Sequence, residues 1–256
     1  MTNGIQTKPS TRVVVLGALS AIAMATARIY AAEGASLMLV ARNPVRLKAL
    51  ADDLRTRGAV QIETAAMDLE AASTEAPHHL AEWRQKLGGI DHIHLIYGYL
   101  GKQEKASSDH AELVRITSSN YSTAVLWCEA AANILRQQKR GSLVAVSSVA
   151  GDRGRQSNYA YGAAKGAIAL YVQGLAHSLA GSGARAVVVK PGFVDTPMTD
   201  GMKKGGALWA TPEKIGRILR RAADRGGPIQ YAPSIWRMIM LVMRTVPAFV
   251  FHKTRF

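Results

Sequence analysis

Short apolar runs and longer helical stretches alternate along the whole chain, and that order leaves few folds open. The strand-like runs are Arg12 to Leu16, Ser36 to Ala41, Val60 to Met67, Asp91 to Tyr97, Ser142 to Ser148 and Ala184 to Lys190. Helical stretches lie between them: Ser20 to Glu33, Asn43 to Arg57, Ser73 to Leu87, Glu112 to Gln138 and Asn158 to Leu179. Another opens at Thr211-Pro212. Asn43 followed by Pro44 is a helix start, and Gly34 and Gly58 are helix stops. Strict alternation of this kind predicts a parallel sheet covered by helices on both faces. The strands are rich in β-branched residues and lack a polar alternation, as strands buried on both sides do. An α/β, doubly wound parallel sheet follows, with its ligand beyond the carboxyl ends of the strands. Those ends are Gly17, Ala41, Asp68, Gly98, Ser148 and Pro191.

Length and composition set the scale. At 256 residues, 48% hydrophobic and 20% charged, the chain reads as a soluble globular protein with ample core. Residues 1–11 are expected to be a flexible N-terminus, 12–232 the dinucleotide-binding and catalytic domain, and 233–256 a separate amphipathic tail. Cys128 is the only cysteine, which excludes an intrachain disulfide and suits a reducing, cytoplasmic location. No secretory signal fits the opening residues.

The first strand runs into Leu16-Gly-Ala-Leu-Ser-Ala-Ile-Ala23 at the start of a helix. A tight turn here presents backbone N–H groups and a helix N-terminus to a pyrophosphate. Gly17, Leu19, Ser20, Ala21 and Ile22 are the candidate contacts, with Gly17 at the turn. Ala21 and Ala23 replace two glycines of the usual motif. At the end of the second strand an acid would hold the ribose 2′-hydroxyl of NAD(H). Arg42 stands there instead, with Arg46 one turn on, and a guanidinium suits a 2′-phosphate. NADP(H) is the favoured cofactor and NAD(H) the alternative; a merely solvated Arg42 is the bland reading. Asp68 and Leu69 bracket an adenine or, for Asp68, cap a turn.

Tyr161 and Lys165 lie four apart, hence one turn apart on one helix face. A free phenol titrates near ~10, and an adjacent ammonium favours the phenolate. Ser148 ends a strand and offers a hydroxyl to hold a carbonyl oxygen beside that phenol. Together the three can move a proton at an oxygen while a hydride moves at its carbon. Tyr-x-x-x-Lys by itself occurs in many helices; its weight comes from what precedes it.

Jointly these residues resemble the short-chain dehydrogenase/reductase superfamily over roughly residues 12–197. The resemblance implies a Rossmann-type single domain of about seven strands. It casts Tyr161 as general acid/base, and Lys165 as the group that lowers its pKa and binds the nicotinamide ribose. Ser148 becomes the carbonyl anchor, and Asn120 the holder of a water in the proton relay. It also places Gly98 at the cofactor, and Pro191, Gly192, Val194 and Thr196 against the nicotinamide. A homodimer or homotetramer is implied in the same way. The altered glycine loop, and Ile96-Tyr97-Gly98 where the superfamily has Asn-Ala-Gly, depart from its pattern. They support the alternative of a non-catalytic dinucleotide sensor or scaffold, against which the retained Ser148, Tyr161, Lys165 and Asn120 speak. Gly98 to Gly101, Asp152 to Arg155 and the tail are further similar to reductases of decaprenylphosphoryl-2-keto-erythro-pentose. Those enzymes act on a keto-sugar linked through phosphate to a polyprenol.

Lysine and arginine total 32 against 18 acids, giving +14, and residues 203–256 carry +9 of it. No zinc finger, RNA-binding aromatic signature or helix-turn-helix accompanies the charge, so nucleic acid is not an expected partner. Ile235 to Phe251 is apolar apart from Arg237 and Arg244, too short and too charged to span a bilayer. It reads either as an interfacial helix making peripheral membrane contact, or as a helix packed on its own domain, a lid or a subunit contact. Met202, Met238, Met240 and Met243 would suit a lid over an apolar substrate. The substrate is accordingly a small-molecule or lipid-linked carbonyl compound. Arg153 and Arg155 either meet a substrate phosphate or are solvated loop charges. His92 and His94 share one strand face without a third ligand at metal spacing, so no metal is expected. Cys128 reads as packing.

Overall fold

The computed structural model describes residues 10–202 and 204–254. Of the proposed N-terminal segment, residues 1–9 lie outside them. The strands are β1 (Arg12–Leu16), β2 (Ser36–Ala41), β3 (Gln61–Ala66), β4 (His92–Leu95), β5 (Gly141–Val146), β6 (Ala184–Pro191), β7 (Phe193–Val194), β8 (Trp209–Ala210) and β9 (Ile229–Ala232). The α-helices are α1 (Ala21–Ala32), α2 (Pro44–Thr56), α3 (Ala76–Leu87), α4 (Gln103–Ala106), α5 (His110–Thr117), α6 (Thr123–Gln138), α7 (Tyr159–Ser178), α8 (Pro212–Arg225), α9 (Ile235–Thr245) and α10 (Ala248–Phe251).

Seven strands form one sheet in the order β3-β2-β1-β4-β5-β6-β9, every neighbouring pair parallel. The chain winds outward from β1 to β3 and then crosses back to β4. The crevice between β1 and β4 is therefore the switch point where such sheets bind ligands. Successive β1 residues feed opposite cores. Val14 and Leu16 pack with α3, α6 and α7, whereas Val13 and Val15 pack with α1, α2 and α8. Each such fully buried side chain stabilises the fold by roughly 1.5–3 kcal/mol.

Local chemistry sets the boundaries that matter for the site. Ser20 caps α1, Asn43 caps α2 with Pro44 following it, and Thr211 caps α8 ahead of Pro212. Three elements differ from the sequence expectation. The single helix expected over 112–138 is two, α5 and α6, joined by a π-helical turn at Ser118–Ser122 that holds Asn120. The helix expected from Ser73 begins instead as a 3-10 turn, and α3 starts at Ala76 with Pro77 in its first turn. The seventh strand, β9, is a four-residue edge strand paired with the end of β6.

His92 and His94 lie buried side by side in β4. His92 Nδ1 is 2.9 Å from the Ser142 hydroxyl, and His94 Nε2 is 2.8 Å from the Tyr30 hydroxyl. Burial, which disfavours the cation, lowers His92 to about 4 and His94 to about 3. In the unfolded chain both take up protons near ~6.5. The unfolded state thus binds more protons between that pH and the folded values, and stability falls as pH falls through the window. Thermal unfolding followed from pH 7 to pH 4 should show this decline. The His92→Gln/His94→Gln double variant should flatten it, even though it starts from a lower melting temperature.

Candidate active site

A cleft of about 580 Å³ opens over the carboxyl ends of the strands. At one end the β1–α1 turn is held from both sides. Gly17 and Ala18 N–H each donate to Val40 O at 3.0 Å, and Ser20 Oγ donates to Ile96 O at 3.1 Å. Gly17 has φ +86°, and a Cβ there would stand 2.8 Å from Ile96 O, so only glycine fits this position. Gly17, Leu19, Ser20, Ala21 and Ile22 all line the cleft, and Ala23 is fully buried beneath it. Alanine is thus accommodated at both altered positions of the loop.

Arg42 and Arg46 line the same cleft beyond β2. The ion pairs along α2, Lys48–Asp52 and Arg55–Asp52, leave both arginines unpaired among the described residues. Asp68 lines the cleft, and its Oδ1 accepts from Glu70 N at 2.9 Å, closing a turn. Leu69 lines the cleft too, and its carbonyl accepts from the Trp127 indole at 2.8 Å.

The other end is set by α7 lying against the turn at Val149–Asp152 that follows β5. A Cβ on Gly162 would meet Ala150 O at 2.8 Å, and one on Gly166 would meet Gly151 O at 2.8 Å. Glycine at these positions brings helix and turn together backbone to backbone. Ser147 Oγ donates to Lys165 O at 2.6 Å across the same seam. Ser148 and Tyr161 thereby face the same cleft, with the Ser148 hydroxyl near enough to favour the phenolate. Lys165 lies beneath them, 4% exposed, its Nζ 3.1 Å from Val146 O and 5.8 Å from the Tyr161 ring centroid.

The electrostatics correct one expectation. Burial pushes the Tyr161 phenol up to about 12, and only the nearby Ser148 hydroxyl works against it. The Lys165 ammonium is directed to a backbone carbonyl, and its own pKa is lowered to about 8 by burial. The phenol is therefore held protonated, the form that can donate to a carbonyl oxygen.

Asn120 stands behind the cleft wall. Its Nδ2 donates to Tyr99 O at 2.6 Å and Ile116 O at 2.8 Å, and its Oδ1 accepts from Tyr99 N at 3.2 Å. It ties the π-turn to the segment after β4. A Cβ on Gly98 would lie 2.5 Å from Asn120 Oδ1 and 3.1 Å from Lys165 Nζ, which accounts for glycine there. Pro191, Gly192, Val194 and Thr196 also line the cleft.

The tail packs on its own domain. Trp236 and Met240 of α9 are buried against Val149 and Phe193, and the Trp236 ring occupies the space a Gly192 side chain would need. Arg153 Nη1 donates to Met243 O at 2.7 Å and Val246 O at 2.6 Å, closing the end of α9, and its guanidinium stacks on Phe251. Arg153 is thus neither solvated nor free for substrate. Sequence reasoning missed Asp152, which accepts from Lys190 Nζ at 2.5 Å and from the Tyr231 hydroxyl at 2.6 Å. It joins the serine turn, β6 and the root of the tail. A lone Asp–Lys pair 38 residues apart gives no signal in the sequence.

The chain matches the short chain dehydrogenase family over residues 11–206. It is 36% identical to an uncharacterized oxidoreductase of Mycobacterium tuberculosis over 241 residues, 94% of this chain and 96% of that protein. An uncharacterized oxidoreductase of Streptomyces coelicolor is 34% identical over 250 residues, 96% of each chain. A 3-oxoacyl-[acyl-carrier-protein] reductase of Bos taurus is 29% identical, over 72% of this chain and 76% of that one. Among solved structures, gox2181 superposes with a TM-score of 0.79 at 21% identity, covering 89% of this chain and 96% of that one. An actinorhodin polyketide ketoreductase solved with NADPH gives 0.77 at 19% identity, covering 88% and 96%. The two superpositions establish the shared fold.

The buried Lys165 charge has a measurable cost. Folded Lys165 releases its proton near 8 and the unfolded residue near ~10.4. Below pH 8 the ammonium is charged in both states and its burial penalty is complete. Between 8 and ~10.4 the unfolded chain binds the extra proton, so stability rises with pH through that window. Lys165→Met should stabilise the cofactor-free protein at pH 7 by about 1–3 kcal/mol and remove this rise, as read by chemical denaturation at pH 7 and pH 10.

Proposed function

This chain belongs to the short-chain dehydrogenase family and is an oxidoreductase of that family, and we propose that it is an NADP(H)-preferring carbonyl reductase. The observation that carries this is the meeting of Ser148, Tyr161 and Lys165 in the cleft that also contains the Gly17 turn and Arg42. The residues fit a nicotinamide dinucleotide. The Gly17 turn and the α1 N-terminus form a cradle for a diphosphate, and the unpaired Arg42 and Arg46 suit a 2′-phosphate. Asp68 and Leu69 flank the adenine region. Gly98, Pro191, Gly192, Val194 and Thr196 wall the nicotinamide region. The cofactor supplies or accepts the hydride.

The side chains handle the oxygen. Ser148 Oγ donates to the substrate carbonyl and fixes it beside Tyr161. The Tyr161 phenol gives its proton to the developing alkoxide. The Lys165 ammonium, charged at pH 7, would hold the nicotinamide ribose and, turned from Val146 O, stabilise the phenolate left behind. Asn120 fixes the π-turn and the Gly98–Tyr99 backbone, from which a proton relay to solvent passes.

The favoured substrate is a keto-sugar linked through phosphate to a polyprenol. Leu100, Phe193, Met198 and Met202 give the Ser148 end of the cleft an apolar lining. Among the described residues no helix is long and apolar enough to cross a membrane. The tail instead exposes Ile235, Met238, Val242 and Phe249 beside Arg237 and Arg244, a face suited to an anionic lipid surface. Peripheral attachment at the cytoplasmic side and assembly into a homodimer or homotetramer belong to the same reading.

Tyr161→Phe should lower turnover by about 10²–10⁴-fold with NADPH affinity unchanged, measured by cofactor oxidation and by fluorescence titration. Near-normal turnover in that variant removes Tyr161 from its role. Arg42→Asp should weaken NADPH binding by roughly tenfold or more while NADH binding is kept or improved; equal losses for both cofactors contradict the 2′-phosphate assignment. Met238→Glu with Val242→Glu leaves the buried face of α9 intact. This pair should abolish sedimentation with phosphatidylglycerol vesicles, and unchanged sedimentation defeats the membrane reading.

A further inference from the structure

Arg155 is the one arginine at the Ser148 end of the cleft for which the described residues offer no uncommitted carboxylate and no strong acceptor. Arg153 is committed to the carbonyls ending α9. Arg115 stacks over the Tyr99 ring at 4.1 Å, with the Glu112 carboxylate close enough to feel its charge. Arg155 lines the cleft, and its Nε is buried with no hydrogen-bond partner. Its Nη2 has only the Met240 sulfur, at 3.8 Å, and a thioether is a weak acceptor. The carboxylate that acts on it, Asp152, already accepts from Lys190 on Oδ1 and from Tyr231 on Oδ2. Burial lowers the pKa of this guanidinium, so the fold holds the cation at a cost.

A second polar group nearby is also unsatisfied. Asn158, three residues along, lines the cleft, and its Oδ1 is buried without a partner. A donor for an anionic oxygen and an acceptor for a hydroxyl thus lie close together in the chain on the wall that carries Ser148 and Tyr161. Buried polar groups left open beside a cleft are completed by ordered water or by a ligand that enters it.

We propose that Arg155 is the residue of the substrate pocket that meets the phosphate of the proposed phosphate-linked keto-sugar, with Asn158 accepting one of its hydroxyls. This rests on reading the cleft as a reductase site, with the cofactor phosphates at the opposite end near Gly17 and Arg42. It assigns a specificity role to Arg155 and a hydroxyl contact to Asn158.

The test is direct binding to protein saturated with NADP⁺, by calorimetry, with farnesyl phosphate, ribose 5-phosphate and farnesol as probes. Both the wild type and Arg155→Met are titrated. At least one phosphate ester should bind the wild type and lose roughly tenfold or more affinity in Arg155→Met. Farnesol and NADP⁺ affinities should not change. Arg155→Lys should recover part of the loss. Tighter binding of farnesyl phosphate identifies a lipid-linked ester, and tighter binding of ribose 5-phosphate a free sugar ester. Either supports the assignment.

Equal phosphate-ester affinity in wild type and Arg155→Met overturns it, as does failure of both esters to bind the wild type. A parallel loss of NADP⁺ affinity overturns it as well, by placing Arg155 at the cofactor. Full turnover in Tyr161→Phe would defeat the reductase reading alone and leave the anion result standing.

Discussion

The approach of α7 to the turn at Val149–Asp152, backbone against backbone, fixes the geometry on which the site depends. Gly162 and Gly166 on the helix and Gly151 on the turn leave no room for a β-carbon between them. Without that contact Ser148, at the end of a strand, and Tyr161, on a helix, would have no common reference. With it, the hydroxyl and the phenol face one cleft over a buried ammonium. The seam is closed by Ser147 Oγ bonded to Lys165 O and by Lys165 Nζ bonded to Val146 O. The first of these is buried and the second part-buried. Their cost is a lysine and a tyrosine whose charged forms are both disfavoured before a cofactor arrives.

The tail is coupled to this seam from the other side. Trp236 occupies the space beside Gly192, and Met240 lies against Val149 and Arg155. Asp152 binds Lys190 near the end of β6 and Tyr231 in β9, joining the serine turn to the strand that leads into α9. One face of α9 therefore forms part of the wall behind the active site, and the other stays exposed, with Ile235, Met238 and Val242 beside Arg237 and Arg244. A surface bound by the exposed face would bear on a helix that already supports the substrate pocket.

The periodicity of the chain revealed most of this architecture because buried parallel strands and amphipathic helices have distinct patterns. Six strands, the main helices and the helix starts at Asn43 and Thr211 were legible. Every cofactor contact expected from the sequence lines the cleft, because residues that follow strand ends are placed by topology alone. The rest depends on interactions invisible in one dimension. β9 is a short edge strand with one mostly exposed face, so its apolar signal is weak. The break at Asn120 comes from a side chain that bonds Tyr99 and Ile116 carbonyls, which no helical period reports. The tail was ambiguous because its exposed and buried faces both carry apolar residues; only packing against Gly192 separates them. The expected depression of the Tyr161 phenol fails because burial outweighs an ammonium directed elsewhere.

The most direct measurement is a crystal structure of the NADPH complex. The account predicts the 2′-phosphate against Arg42, the diphosphate on the Gly17 turn, and the nicotinamide between the Pro191–Thr196 segment and Tyr161, its reactive carbon open toward Ser148. A cofactor bound outside this cleft, or a nicotinamide separated from the Ser148–Tyr161 pair, would contradict it.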